Sequence, residues 1–283
     1  MVWLLFWLVS HQSLAVRLGA IASLQTSLLT GILPAKTLPT LANFENQTNP
    51  KFSQNLAVNN VSVPEVARQV TVRIFSNSSA GSGVIISRQG QVYTVLTCDH
   101  VLNEKDSNNY TVLTSDGRTY PAKKLAYSQF GDKDLAVVQF ASPQSYQVAE
   151  MGNSDVLATG ETVSAAGFPN WYWINPKAIE STRDWGMRAF RLTRGNVEMI
   201  SARSLPRGYQ LGYTNEVENG MSGGPVLDQN GRLIGINGRL KFPPQGITVY
   251  RFADGTMPSA AVFQRMESLS WAIPIGTFRR LFR

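Results

Sequence analysis

The segment Asn219-Gly220-Met221-Ser222-Gly223-Gly224-Pro225 surrounds one hydroxyl with three glycines. Glycine frees the backbone for dihedrals closed to other residues and lets another chain approach it closely. It also lets successive N–H groups converge on one point, where they can hold the negative charge that develops on a carbonyl oxygen under attack. Ser222 is therefore a candidate nucleophile, and the backbone N–H groups of Gly220 and Ser222 are candidate oxyanion donors. A serine hydroxyl needs a base to take its proton. The chain has two histidines, His11 and His100. His11 lies in an apolar N-terminal stretch that reads as targeting sequence, which leaves His100 as the candidate base.

Order along the chain removes two arrangements. A G-x-S-x-G pattern also marks the nucleophile elbow of α/β-hydrolases, but there the histidine follows the serine, and no histidine follows residue 100. A subtilisin order needs an aspartate well ahead of the histidine. The first aspartate here is Asp99, directly beside His100. Adjacent side chains on an extended segment point to opposite sides, so Asp99 is not expected to orient the ring. What remains is histidine, then aspartate, then serine, the chymotrypsin order.

Between His100 and Ser222 lie Asp106, Asp116, Asp132, Asp134, Asp155 and Asp184. Asp134 opens the apolar run Asp134-Leu135-Ala136-Val137-Val138-Gln139-Phe140, and a carboxylate at the mouth of a buried strand can be desolvated and held still, as orienting an imidazole requires. Asp116 and Asp132 sit in turn-like contexts. Asp184 lies between Arg183 and Trp185 in no strand pattern. On local pattern these are weaker alternatives to Asp134.

Taken together, the motifs resemble a trypsin-like serine peptidase of the bacterial Deg/HtrA type. Thr97-Cys98-Asp99-His100-Val101-Leu102, Asp134-Leu135-Ala136-Val137 and Gly220-Met221-Ser222-Gly223-Gly224-Pro225 match the three catalytic segments. Gly81-Ser82-Gly83-Val84-Ile85-Ile86, Gly152-Asn153-Ser154-Asp155, Gly160, Gly167-Phe168-Pro169, Leu233-Ile234-Gly235-Ile236-Asn237 and Trp271-Ala272-Ile273-Pro274 extend the likeness over roughly residues 65 to 278. The resemblance implies an all-β, chymotrypsin-like fold of two antiparallel six-stranded β-barrels with the site in the cleft between them. It implies an endopeptidase acting on polypeptides through His100, Asp134 and Ser222 and an acyl-enzyme. Glu216, six residues before the serine, matches the base of the specificity pocket in trypsin-like enzymes, where an acid favours Arg or Lys in the substrate; many Deg-type enzymes instead take small aliphatic residues. Two other functions use the same residues: a catalytically silent binding protein on the peptidase fold, and an esterase. Met221 stands where zymogen-activated trypsins carry aspartate, so activation by a new N-terminus is not expected. The sequence runs eight residues past Ile275, and a PDZ domain is not expected.

The elements that must position these residues read as strands. Gln69 to Phe75 is the expected first strand. Val84 to Ser87 and Val92 to Thr97 flank the turn Arg88-Gln89-Gly90. Val226 to Ile236 reads as a hairpin turning at Asn230-Gly231, a type I′ signal. Cys98 and His100 are expected on one strand. A helix is expected around Thr277 to Phe282. The N-terminal barrel is placed at about 63–150 and the C-terminal barrel at about 151–283. Two stretches exceed what such barrels need, Asn170 to Arg191 and Lys241 to Glu267, and long insertions in compact domains are often functional. The first mixes Trp171, Tyr172, Trp173 and Trp185 with Lys177, Arg183 and Arg188, a candidate substrate or partner surface.

Composition sets the remaining bounds. The 283 residues are 16% charged, with 23 glycines and 14 prolines, against a long helical bundle. One cysteine excludes a disulfide framework and a cysteine-based zinc site. With one usable histidine, neither a catalytic metal nor a cofactor is expected. Cys98, two positions before His100, reads as a buried small hydrophobe, with a redox- or inhibitor-sensitive thiol near the site as the alternative. The net charge of +7 comes without a dense basic run, so nucleic acid is not an expected partner. Residues 1–42 contain no acid and carry a long uncharged stretch after Arg17, which reads as a signal peptide or a membrane anchor and predicts an exported protein, periplasmic, extracellular or tethered facing outward. Residues 43–62 read as a polar linker.

Overall fold

The computed structural model describes residues 62–282 apart from 78, 103–108 and 127. The leader and nearly all of the linker expected from the sequence lie outside the described residues. Among the described residues, no helix is long and apolar enough to cross a membrane.

The chain enters through helix α1 (Val63–Val70), which opens on Pro64 and ends where the Thr71 hydroxyl bonds back to the Ala67 carbonyl at 2.6 Å. Ala67 and Val70, three apart and so on one face, are both fully buried. The expected first strand therefore starts two residues late. Gln69 and Val70 complete a helix that tertiary burial of this apolar stripe rewards. Six strands follow: β1 (Thr71–Phe75), β2 (Ala80–Gln89), β3 (Val92–Thr97), β4 (Tyr110–Leu113), β5 (Thr119–Lys124) and β6 (Ala136–Ala141). They close an antiparallel barrel in the order β1-β2-β3-β6-β5-β4. Val72, Ile74, Val84, Val95, Leu96, Val112, Val137 and Val138 are at most 1% exposed within it. Both Val137 and Val138 are buried, so β6 is covered on both faces and reads in sequence as a continuous apolar run.

A second antiparallel barrel takes β7 (Thr162–Gly167), then, after the separate hairpin β8 (Trp171–Asn175) and β9 (Ala178–Ser181), β10 (Arg191–Ile200), β11 (Leu211–Tyr213), β12 (Pro225–Leu227), β13 (Leu233–Arg239) and β14 (Ser270–Pro274). Its order is β10-β11-β14-β13-β12-β7. Two closed six-stranded antiparallel barrels are the expected fold class. The turn between β12 and β13 differs from the expected two-residue type I′. Gly231 has a positive φ of 78° and Asn230 does not. The Asp228 carboxylate instead accepts the N–H groups of Asn230 and Arg232 at 2.8 and 2.9 Å and organises a longer loop.

The two insertions behave differently. Residues 241–267 fold onto the second barrel through a 3₁₀ turn at Gly246–Tyr250 and helix α2 (Ala260–Glu267). There Tyr250 packs on Phe263 and Trp271 with ring centroids 5.6 and 6.4 Å apart. The β8–β9 hairpin instead stands out from the barrel, every residue of β8 exposed. Helix α3 (Ile275–Leu281) closes the described chain and buries Ile275 and Phe278, close to the range expected for it.

Candidate active site

His100 does not lie on a strand. β3 ends at Thr97, and Asp99–Val101 form one 3₁₀ turn after the buried Cys98. This turn explains why neighbours Asp99 and His100 diverge. Asp99 points to Lys124 and Arg207, with carboxylate contacts of 2.8 and 3.0 Å. The His100 ring meets Asp134, which lies 34 residues on, where the chain enters β6. Nδ1 of His100 is 2.7 Å from Asp134 Oδ2, and the His100 backbone N–H donates to Asp134 Oδ1 at 3.0 Å. The sequence-predicted pair is thus together. The other aspartates described between His100 and Ser222 do not contact the ring.

The Asp134 side chain is 3% exposed and that of His100 37%. Burial alone opposes charge on Asp134, but the His100 ring, the Tyr209 hydroxyl and the His100 N–H overcome it and hold the carboxyl at about 2. Asp134 is therefore ionised at neutral pH and accepts only, which fixes the imidazole with its proton on Nδ1 and leaves Nε2 free to accept.

Two of the carboxylate's partners come from the second barrel, and the sequence did not indicate either. Tyr209, 1% exposed, donates its hydroxyl to Asp134 Oδ2. Arg207 Nη2 stands 2.9 Å from Oδ1, and the Arg207 carbonyl accepts the Asp134 N–H at 2.9 Å. Arg207 adopts φ = 67°, a left-handed conformation costly for a residue with a Cβ. The tight turn Pro206–Gly208 thereby aims both its carbonyl and its guanidinium at one aspartate. Arg239 lies over the Tyr209 ring at 4.7 Å and ties down Pro206 and Val249 through their carbonyls. Local pattern could not reveal this group, because its members meet only when the barrels pack.

Ser222 shares a cleft of about 330 Å³ with His100, Gly220, Asn219, Asn170 and Trp171. The loop before it is anchored by Met221, which is fully buried among Val163, Val217 and Ile234. Met221 is thus an apolar plug at the position where zymogen-activated trypsins carry aspartate. Asn219's carbonyl accepts the Asn170 N–H at 2.7 Å. In a trans peptide the C=O and N–H point oppositely, so the Gly220 N–H turns away from residue 170. Among the described residues, no acceptor is bonded to the N–H of Gly220 or of Ser222. Gly220 has φ = 99°, and a Cβ there would stand 2.5 Å from the Phe168 carbonyl oxygen.

Ser82 of β2 joins the two barrels at this loop. Its N–H donates to the Ser222 carbonyl at 2.9 Å. Its hydroxyl donates to the Gly220 carbonyl at 2.7 Å and accepts the Phe168 N–H at 2.8 Å. Gly223, with φ = 86°, lets the chain pass, since a Cβ would meet the Ser82 carbonyl and the Thr97 hydroxyl at 2.2 Å.

Glu216 is placed apart from this cleft. Its side chain is 67% exposed and pairs with Lys241 at 2.5 Å, at the edge of a neighbouring cleft. Cys98, His100 and Asp134 present donor atoms within 4.8 Å of one another. They do not suit a cation. Burial, and then the Asp134 charge, push the Cys98 thiol well above its usual range. The thiol donates to the Asn237 carbonyl at 3.1 Å, while Asp134 is occupied by His100, Tyr209 and Arg207. Cys98 is fully buried, as a small hydrophobe would be.

The family model described as a trypsin-like peptidase domain matches residues 81–236. The serine protease Do-like HtrB of Bacillus subtilis is 30% identical over 174 residues, covering 61% of this chain and 35% of that protein. The periplasmic pH-dependent serine endoprotease DegQ of Escherichia coli is 28% identical over 173 residues, covering 61% of this chain and 34% of its own length. The chain spans about a third of the length of these curated relatives. A solved structure of the HtrA-type protease AlgW with a tripeptide superposes with a TM-score of 0.55 at 22% identity, over 78% of this chain and 61% of that one.

Proposed function

The chain belongs to the trypsin-like peptidase family, and from that premise we propose that it is a serine endopeptidase whose triad is His100, Asp134 and Ser222. The observation that carries the assignment is the His100–Asp134 contact of 2.7 Å at the edge of the cleft that holds Ser222. Asp134, ionised and buried, keeps the His100 proton on Nδ1 and stabilises the imidazolium that forms during reaction. Nε2 takes the Ser222 Oγ proton as the oxygen attacks the peptide carbonyl. The unengaged N–H groups of Gly220 and Ser222 receive the developing oxyanion, a role in which one donor is typically worth about 10²–10³ in rate. His100 then returns the proton to the leaving amine, and water resolves the acyl-enzyme by the reverse sequence.

Polypeptides are the substrates under this reading, and the trypsin-like domain occupies the chain from about residue 63. The acid-free N-terminal segment directs export, in keeping with a relative named as periplasmic. The test is labelling of the folded protein by a fluorophosphonate probe, with Ser222→Ala as control. Labelling that vanishes in the control supports the triad. An unlabelled native protein refutes it and favours a silent binding module. Comparison of matched amide and ester substrates separates peptidase from esterase.

A further inference from the structure

The β8–β9 hairpin holds an unusual surface. Trp171, Tyr172, Trp173, Ile174 and Ile179 are each between 49% and 63% exposed. Contiguous exposed apolar residues of this kind mark binding surfaces. Side chains alternate along a strand, and the alternation sorts the set. Trp173 pairs with Ile179 in the hairpin register. With Trp171 these two line one wall of a cleft of about 320 Å³, whose other walls are Val217, Leu240 and Phe242. Tyr172 is absent from that lining and packs against Trp185 with the ring centroids 5.2 Å apart and the planes tilted by 48°. Phe242 contributes a ring 65% exposed from a residue with φ = 46°, a conformation disfavoured for a side chain of that size.

Two acids border this cleft, and both are paired. Glu216 meets Lys241, which also donates to the Thr214 carbonyl at 2.7 Å, and Glu218 meets Arg191. The walls therefore offer apolar area without an uncompensated negative charge for a substrate lysine or arginine. The cleft also continues into the nucleophile's cleft, since Trp171 and Asn219 line both. The hairpin leaves the barrel at Asn170, whose N–H holds the Asn219 carbonyl beside Gly220.

We infer that the cleft between the β8–β9 hairpin and Leu240–Phe242 binds a large uncharged apolar side chain of the polypeptide substrate, with Trp171, Trp173 and Phe242 as anchors. This rests on the peptidase assignment for the identity of the substrate. It sets apolar preference against the basic preference that Glu216 suggests in sequence.

The test measures binding, separately from turnover. Fluorescent Gly/Ser/Ala-rich decapeptides carrying one variable residue, Phe, Leu, Ala, Lys or Glu, are titrated by anisotropy into the full chain bearing Ser222→Ala. The Phe and Leu peptides should bind about tenfold tighter than the Lys and Glu peptides. Trp173→Ala or Phe242→Ser should weaken the Phe peptide about tenfold, the scale of losing one aromatic anchor. Ile174→Ser, exposed but outside the lining, should change nothing, and thermal unfolding midpoints verify that each variant is folded. Equal affinity for the Lys and Phe peptides, or an affinity untouched by Trp173→Ala, overturns the inference. So does Trp173-dependent self-association without peptide binding. Trp173-dependent binding in a protein whose Ser222 takes no fluorophosphonate sinks the peptidase assignment and leaves the cleft assignment standing. Labelling with Trp173-independent binding does the reverse.

Discussion

Replacing Tyr209 by Phe removes one hydroxyl from the centre of the site and little else. The ring stays under the Arg239 guanidinium, and no cavity larger than an oxygen is left. The lost group is a donor to Asp134 Oδ2, with Tyr209 1% and Asp134 2% exposed. A hydrogen bond to a charged group contributes about 1.5–3 kcal/mol. The fall of the Asp134 carboxyl from 3.8 to about 2 corresponds to roughly 2 kcal/mol shared among its partners. These two scales agree that Tyr209→Phe should cost about 1–2 kcal/mol at pH 7. The sign follows from linkage. Asp134 is depressed in the folded state, so its contribution is complete above the ordinary carboxylate value and is lost as pH falls through the folded value. The variant's folded value lies between the two. The stability gap between parent and variant should therefore be constant above about pH 4 and narrow from there towards about 2. Urea unfolding across pH 3–7 measures it. A gap below about 0.5 kcal/mol at pH 7, or one that widens on acidification, would refute the reasoning that Tyr209 stabilises the ionised carboxylate.

Ser82→Ala removes the hydroxyl that bonds both the Gly220 carbonyl and the Phe168 N–H. It should cost about 1–3 kcal/mol and lower kcat more than it raises KM, read from peptide hydrolysis beside thermal unfolding; an unchanged kcat would show that the Gly220 peptide holds its orientation without it. Gly223→Ala places a Cβ 2.2 Å from two oxygens at φ = 86°, so a loss of roughly 3 kcal/mol or more is expected in denaturant titration. A loss under about 1 kcal/mol would mean that the barrels separate easily at this point. The Cys98 thiol, fully buried and pushed up by burial, should resist iodoacetamide at pH 8 in the native protein and react once unfolded, as mass spectrometry would record; rapid native labelling would contradict its burial.

Much of the site was legible because its chemistry is local. Gly220 and Gly223 announce positive φ angles, and the run after Asp134 announces a strand buried on both faces. Histidine scarcity and residue order left one arrangement. Legibility failed where long-range contacts override local pattern. Gln69 and Val70 look β-forming but finish a helix whose stripe is buried. Asn230-Gly231 looks like a two-residue turn, yet the Asp228 carboxylate captures the loop's N–H groups and enlarges it. Glu216 aligns with a pocket base in sequence. In space it borders the cleft under the aromatic hairpin, 67% exposed and paired with Lys241, 25 residues along the chain.

The sequence by itself therefore determined the strand-built fold, the candidate nucleophile, base and orienting acid, and the glycines around the serine. Each of these depends on residue type, spacing or order, properties that survive without coordinates. Only the tertiary structure decided what keeps Asp134 charged in a buried place. Tyr209 and Arg207 come from the other barrel, 75 and 73 residues away along the chain, and carry no motif. It also decided that the aromatic hairpin faces Phe242 across a cleft reaching Ser222. The Asp134 contacts form where two closed barrels meet, and the hairpin cleft forms between loops of the second barrel far apart in the chain; neither kind of packing leaves a period in the sequence to read.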